Sequence, residues 1–325
     1  MTPAVFFDAT LLGFEYALLA VGIFITFKVL DMADLTVDGS FCLGMAVSGV
    51  FTVQGMPALG LILGMIAGAL AGCVTGVLAT KARINPLIAG IITSTGLYSI
   101  NIFILGAPNV SLLGVDKAFT FIGHMLSPAP EHGMRPIISP GAENLQKEIF
   151  VIGIVVVAVL ILIAYFKTEN GLAMRAVGDN EDMSSASSIN VDAMKIGGLA
   201  LANALVALSG GILAQCQGFA DMSSGTGMVL VGLASVIIGE VFGGKRSVTA
   251  GLICSVAGSI VYRWIIQFAL GVNLLDANGL KLMSALIVGI FMAFPAIKAS
   301  IQEKNSRRKA YSELTSDASA IKEGE

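Results

Sequence analysis

Nine apolar runs divide this chain, and they constrain its fold more than any other feature. A helix needs roughly 20 apolar residues to cross a bilayer. Charged residues make up only 13% of the chain, whereas a soluble domain carries roughly 25%. We therefore predict an all-α polytopic membrane protein with about nine transmembrane helices, in a range of eight to ten. The predicted spans are 11–29, 41–53, 58–79, 86–105, 149–166, 196–215, 228–242, 248–270 and 280–297.

The basic residues orient these spans. If consecutive spans alternate in direction, the basic segments 81–83, 167–195, 245–246 and 298–309 all fall on one side of the membrane. Basic loops remain inside the cell, so this side is predicted to be cytoplasmic and the N-terminus external. Segment 106–147 then becomes a long external loop. The charged, serine-rich tail 300–325 is predicted to be disordered and cytoplasmic.

The acidic segment between the first two runs has two interpretations. Asp31, Asp34 and Asp38 either lie in a cytoplasmic turn or belong to non-helical backbone held inside the bundle, where protein or water must cover it. The short run that follows is typical of a broken helix. Asp38-Gly39 would then be the break point, and Ser40 would cap the next helix. If the segment re-enters instead of crossing, the N-terminus is internal.

The third run carries a glycine at every fourth position. Such a stripe lets another helix approach backbone to backbone, which contact with lipid does not require. The pattern predicts close helix packing, within the chain or between two subunits. The stripe consists of Gly60, Gly64, Gly68, Gly72 and Gly76.

The fourth run carries an unusual number of polar residues. Ser94, Tyr98 and Asn101 follow i, i+4, i+7 spacing, so we expect them to share one helix face. A polar face on a membrane helix must contact protein or water. It either lines a path for a polar solute or makes interhelical hydrogen bonds worth about 0.6 kcal/mol each. Asp38 and Asn203 are further candidates for such a path.

Segment 168–195 is the one structured polar stretch predicted on the cytoplasmic side. Met174 and Val177 give it an apolar side that can anchor it to the bundle. It is either a solvated loop or a docking surface for another protein. The residues that we expect to serve such docking are Arg175, Asn180, Glu181, Met183, Ser184 and Ser188.

No catalytic or nucleotide-binding motif is complete. Residues 239–245 nearly form a phosphate-binding loop, but Arg246 stands where Ser or Thr should hold Mg²⁺. The four cysteines show no metal-ligand spacing, and two histidines in one loop do not define a metal site. We predict neither enzyme activity nor a bound cofactor or metal, and nothing indicates nucleic-acid binding.

Four stretches resemble ABC-importer permeases of the branched-chain amino acid and ribose permease superfamily. GLAMRAVGDN at 171–180 is similar to the cytoplasmic coupling segment of that superfamily. Three others are similar to its tryptophan/tyrosine permease branch: LDMADLTVDGS at 30–40, LYSIN at 97–101 with GAPNVSLL at 106–113, and GLASVIIGE at 232–240. Glu240 stands where the wider superfamily more often has glycine, which favours this branch.

The resemblance implies the membrane subunit of an ABC importer in the bacterial cytoplasmic membrane. Residues 1–299 would form the permease domain, and 168–195 would couple it to ATPases. The implied partners are a second copy of the chain, two cytoplasmic ATPases that bind ATP-Mg, an external solute-binding (lipo)protein and membrane lipid. The implied cargo is an aromatic amino acid or related solute. The alternative is an ion-driven secondary transporter, although no inverted repeat is evident and the acids cluster near span ends.

Overall fold

The computed structural model describes residues 3–120, 140–243 and 247–271, together with the single residue Gly289. Among these residues, seven helical segments are long and apolar enough to cross a membrane, and an eighth, shorter apolar helix covers Met228–Val241. The predicted all-α polytopic class is therefore confirmed. Apart from Gly289, the predicted ninth span 280–297 lies outside the described residues, as do the tail 300–325 and residues 121–139 of the predicted external loop.

Eleven α-helices are described. They are α1 (Pro3–Glu15), α2 (Ala17–Phe24), α3 (Thr36–Val53), α4 (Pro57–Thr80), α5 (Pro86–Leu105), α6 (Pro140–Tyr165), α7 (Glu169–Asp179), α8 (Glu181–Ala186), α9 (Val191–Gln217), α10 (Met228–Gly243) and α11 (Val248–Gly271). α1, α2 and the π-helix Ile25–Val29 follow one another as a single span, Val5–Val29. Every residue of α2 is buried, so this span lies at the centre of the bundle.

Non-helical backbone does lie inside the bundle, but not at Asp38-Gly39. Residues 31–35 are non-helical and include the buried Asp34, and α3 already begins at Thr36. The Asp34 carboxylate accepts the Thr36 N–H at 2.8 Å, so it contacts the first residue of the helix, before the expected break. The predicted break point is therefore wrong by a few residues. Ser40, which we expected to cap the helix, lies buried inside it.

The chain between α9 and α10 descends along α3 into the bundle. Its first residues lie near Gly49 of α3, where an added side chain would contact Ala220. Further along, the Cys42 thiol of α3 donates to the Met222 carbonyl at 3.1 Å. Finally, Asp38 of α3 accepts the Gly227 N–H at 3.0 Å. From Gly49 to Asp38 this descent is about 16 Å at 1.5 Å per residue. α10 consequently begins deep in the bundle, which explains why the predicted seventh span is short.

The glycine stripe of α4 packs against helices of the same chain. A Cβ on Gly60 would meet α3 at Phe51, and one on Gly64 would meet the Gly44 backbone. A Cβ on Gly68 would lie 2.5 Å from the Asn203 carbonyl oxygen of α9. Gly72 and Gly76 likewise lie against the α9 backbone, at Leu199 and Ile196. Of the two alternatives for the stripe, the structure shows packing within the chain.

Two short strands join the loops at one end of the bundle. β1 (Asn109–Ser111) and β2 (Phe219–Asp221) pair antiparallel, with Val110 opposite Ala220. The opposite end holds the ion pairs Lys28–Glu240, Lys81–Asp192 and Lys195–Glu181. The two ends therefore differ in chemistry, in the sense expected from the basic-residue pattern.

Candidate coupling surface and membrane path

Helix α7 is firmly mounted on the bundle. The Thr168 side chain caps its start by accepting the Gly171 N–H at 3.4 Å and donating to the Tyr165 carbonyl at 2.7 Å. Met174 and Val177 are 1% and 0% exposed, as expected for an anchoring face. The segment is thus a structured helix and not a solvated loop.

The last turn of α7 lies directly against the first span. A Cβ on Gly178 would overlap the Val29 carbonyl oxygen, so the two backbones touch where the π-helix ends. Only glycine permits this approach, because any larger residue would push α7 off the span. Movement of α7 must therefore displace Val29 or break this contact.

Helix α8 continues the surface and is tied to α9. The Asn180 side chain accepts the Met183 N–H at 2.9 Å, which caps α8. Glu181 pairs with Lys195 of α9 at 2.5 Å, whereas Met183 is 70% exposed. The prediction that Ser184 faces a partner is wrong. Its side chain is 3% exposed because it lies on the bundle side of α8. Ser188 is exposed in a left-handed conformation with φ 63°.

Arg175 lies beside a charged cavity under α7. The cavity, of about 390 Å³, is lined by Arg175 and Asp179 from α7 and by Lys28 and Glu240 from neighbouring helices. Lys28 and Glu240 form an ion pair at 2.8 Å. Lys245 and Arg246, the basic residues that follow Glu240 in the sequence, lie outside the described residues.

The polar face predicted on α5 is split by the structure. Asn101 is 1% exposed, and its Nδ2 donates to the Gly39 carbonyl of α3 at 3.1 Å. Ser94 is half-buried against the same Gly39, whereas Tyr98 is 59% exposed. The three side chains therefore differ in environment, although they follow one side of the helix. Asn101 makes an interhelical hydrogen bond, and only Tyr98 lies on an open surface.

Asp38 holds the buried start of α10. Its two carboxylate oxygens accept the N–H groups of Gly227 at 3.0 Å and Val229 at 2.9 Å. A helix N-terminus carries partial positive charge, so a carboxylate there is favourable. Asp38 was singled out as a path residue. In this structure its carboxylate joins α3 to α10.

Asn203 is fully buried in a polar contact with the non-helical segment before α3. Its Nδ2 donates to Asp34 Oδ2 at 2.7 Å and to the Leu199 carbonyl at 3.0 Å. Asn203 therefore lines no open space in this conformation. The sequence analysis missed Asp34 as its partner, although an acid two residues before an apolar helix was the available signal.

Comparison with known proteins identifies the family. The family described as the branched-chain amino acid transport system / permease component matches residues 5–295. A tyrosine transport system permease protein of Clostridioides difficile is 32% identical, covering 90% of this chain and 91% of that protein. The ribose import permease protein RbsC of Bacillus subtilis is 30% identical, covering 68% and 62%. An uncharacterized protein of Rickettsia prowazekii, RP368, is 34% identical, covering 68% and 72%.

These matches agree with the architecture described above. Seven long apolar helices and one shorter one fit a multi-pass protein of the inner membrane. The family match spans nearly all of the bundle, from α1 to the region beyond α11. The chain therefore belongs to the permease component family of branched-chain amino acid transport systems, which are ABC-type transporters.

Proposed function

We propose that this chain is the membrane-spanning subunit of an ABC importer, and that separate cytoplasmic ATPases drive it by docking on α7 and α8. The observation that carries the proposal is a capped, anchored pair of helices with an exposed outer surface. Met174 and Val177 fix the pair to the bundle, and Met183 stands free at 70% exposure. We expect Met183, an exposed apolar side chain on this rigid support, to contact the ATPase.

Two contacts provide a mechanical route from this surface to the spans. Gly178 touches Val29 at the end of the first span, and Glu181 is ion-paired with Lys195 at the start of α9. A push on α8 would thus reach two central helices at once. Allosteric coupling requires one element whose position both ATP and solute influence, and we propose this helix pair as that element.

The solute path would run beside α5, between two copies of the chain. Tyr98 and Ser99 are exposed on a helix whose other exposed residues are mainly apolar. Hydroxyl groups inside a membrane are stabilised by facing protein or water instead of lipid. Closing and opening this path between outward-facing and inward-facing states would move the solute inward. An external binding protein would deliver it.

We propose an aromatic amino acid or related compound as the cargo. The support is the similarity to a permease named for tyrosine transport, which extends over 91% of that relative. The ribose permease is matched over only 62% of its length, so a sugar is the weaker candidate.

The coupling proposal is tested by the double variant Glu181→Lys/Met183→Trp in the reconstituted complex. We expect it to abolish stimulation of ATP hydrolysis by solute, because it changes the charge and shape of the docking surface. The charge reversal Arg83→Glu is the matched control, since Arg83 is exposed outside α7 and α8. Normal stimulation in the double variant, with crosslinks that place the ATPase elsewhere, would remove the basis for the proposal.

The orientation is tested by cysteine labelling in a background without the four native cysteines. Asn109→Cys lies on β1, and Ser187→Cys follows α8 at the other end of the bundle. A membrane-impermeant thiol reagent applied to intact cells should label the first variant only. Labelling of only the second variant would reverse the orientation.

A further inference from the structure

A polar cavity of about 530 Å³ opens beside the start of α10, and none of its lining residues comes from α5. Its walls come from α2, the end of α9, the chain before α10, α10 itself and α11. We call it the Arg263 cavity after its one charged lining residue. Its polar lining residues include Tyr16, Ser223, Ser224, Thr226, Tyr262 and Arg263. Sites for small ligands typically measure 300–1,000 Å³.

Arg263 forms no ion pair with another described residue, although the buried Glu15 carboxyl lies close enough to interact with its charge. Its guanidinium carbon lies 3.7 Å from the centre of the Tyr16 ring and 6.0 Å from that of Tyr262. Nε is buried without a hydrogen-bond partner, and no ion pair between described residues includes Arg263. Glu15 is buried just before Tyr16, and its Oε2 also lacks a hydrogen-bond partner, so its interaction with Arg263 is not a direct ion pair.

The aromatic contacts alone do not offset the cost of this charge. An arginine inside a membrane helix is costly unless it is paired or meets water. Cation–π contacts recover only part of that cost. Arg263 lies inside the span Val248–Phe268, so a further partner is expected at its open side. That side is the cavity.

The start of α10 cannot be the group that binds an anion here. The N–H groups of Gly227 and Val229 already donate to Asp38. The guanidinium is therefore the anion-binding group of the cavity. Around it, Leu213, Leu230 and Ile266 provide apolar surface, and Ser224 and Thr226 provide hydroxyl groups.

We propose that the Arg263 cavity binds the carboxylate of a small amino acid with an apolar or aromatic side chain. Guanidinium binds carboxylate through two parallel hydrogen bonds. The serine and threonine hydroxyls accept hydrogen bonds from the ammonium group, and the apolar wall holds the side chain. This inference rests on the proposed importer function, since it assigns the class of solute and a binding site within one subunit.

Ligand binding to the purified full-length permease tests the inference without any ATPase. The permease is placed in phosphatidylcholine nanodiscs and titrated calorimetrically with L-tyrosine and with tyramine, which lacks the carboxylate. We expect L-tyrosine to bind at least tenfold more tightly than tyramine. Arg263→Gln should remove this difference in affinity, and Arg263→Lys should retain part of it. The control is Arg83→Gln, at an exposed arginine in the loop between α4 and α5, which should leave the difference unchanged. Trp264 is the single tryptophan and stacks on Phe6. Its fluorescence therefore reports whether each variant is folded.

The outcomes separate this inference from the proposed function. Equal binding of L-tyrosine and tyramine, or unchanged tyrosine binding in a folded Arg263→Gln variant, overturns the inference even if ATPase coupling at α8 is intact. A lipid phosphate could also satisfy Arg263. Native mass spectrometry distinguishes this case. If the wild type retains phosphatidylglycerol, Arg263→Gln does not, and neither binds tyrosine, the cavity binds lipid and the amino-acid site is overturned.

Discussion

Helices α4 and α5 follow each other in the chain, and both carry a periodic pattern, yet the two patterns have different outcomes. All five stripe glycines of α4 are buried against α3 or α9. The polar residues of α5 are divided, since Asn101 is buried against α3 and Tyr98 is exposed. The regular spacing was equally clear in both helices, so spacing alone does not explain the difference.

The difference lies in how each residue type can be satisfied. A glycine in a membrane helix contributes only the absence of a side chain, so a periodic stripe indicates close backbone contact. A hydroxyl can instead bond to its own helix. Thr93 donates to the Ala89 carbonyl at 3.0 Å, and Thr95 to that of Ile91 at 2.8 Å. Polar residues on α5 therefore need no common partner, and they need not share a face.

The largest effect is expected from Gly68→Leu in α4. Its Cβ would meet Ala207 and lie 2.5 Å from the Asn203 carbonyl oxygen, and neither backbone can withdraw without separating α4 from α9. Overpacking costs about 1–3 kcal/mol or more, so we expect loss of folded protein in size-exclusion chromatography. Gly96→Leu in α5 is the control, because nothing lies within 4 Å of its Cβ position. Equal yields of the two variants would contradict the close packing of α4.

A smaller loss of stability is expected from Asn101→Ala. The substitution removes the hydrogen bond to the Gly39 carbonyl, which should cost about 0.6–1.7 kcal/mol. We expect a lower unfolding temperature and a proportionate loss of transport activity. A variant that transports poorly at full stability would instead place Asn101 on the solute path.

The smallest effect on stability is expected from Tyr98→Ala, whose side chain is 59% exposed. If the α5 surface lines the path, transport should fall several-fold while the unfolding temperature changes little. Phe103→Ala is the control, since Phe103 is 90% exposed on the same helix. Equal transport by both variants would indicate that this part of α5 faces lipid or a structural contact.

The sequence predicted the spans well because a long apolar run has few alternatives in a membrane. It also predicted the anchoring face of α7, because Met174 and Val177 were the apolar residues of an otherwise polar segment. Ser184 could not be placed, since a serine is compatible with either side of a short helix. The hydrogen-bond partners of Asp34 and Asp38 could not be predicted from the sequence either. They lie 169 and 189 residues away or more, on α9 and at the start of α10.

Arg263 went unnoticed for a different reason. It is a single charge in a run apolar enough to define a span, and only the packing of Tyr16 against it shows that it lies beside a cavity. Contacts between distant elements decide such features, whereas local patterns decide the helices themselves.

The packing of the α4 stripe also imposes an order on biogenesis. The ribosome finishes α4 at Thr80 but completes its partner α9 only at Gln217, and β2, α10 and α11 come later still. At 5–20 residues per second, the interval is roughly 7 to 27 s. During that time, the half of the stripe from Gly68 to Gly76 has no native partner. A grooved, glycine-lined helix must wait in lipid or against the insertion machinery, and any helix that fills the groove first would trap the nascent chain.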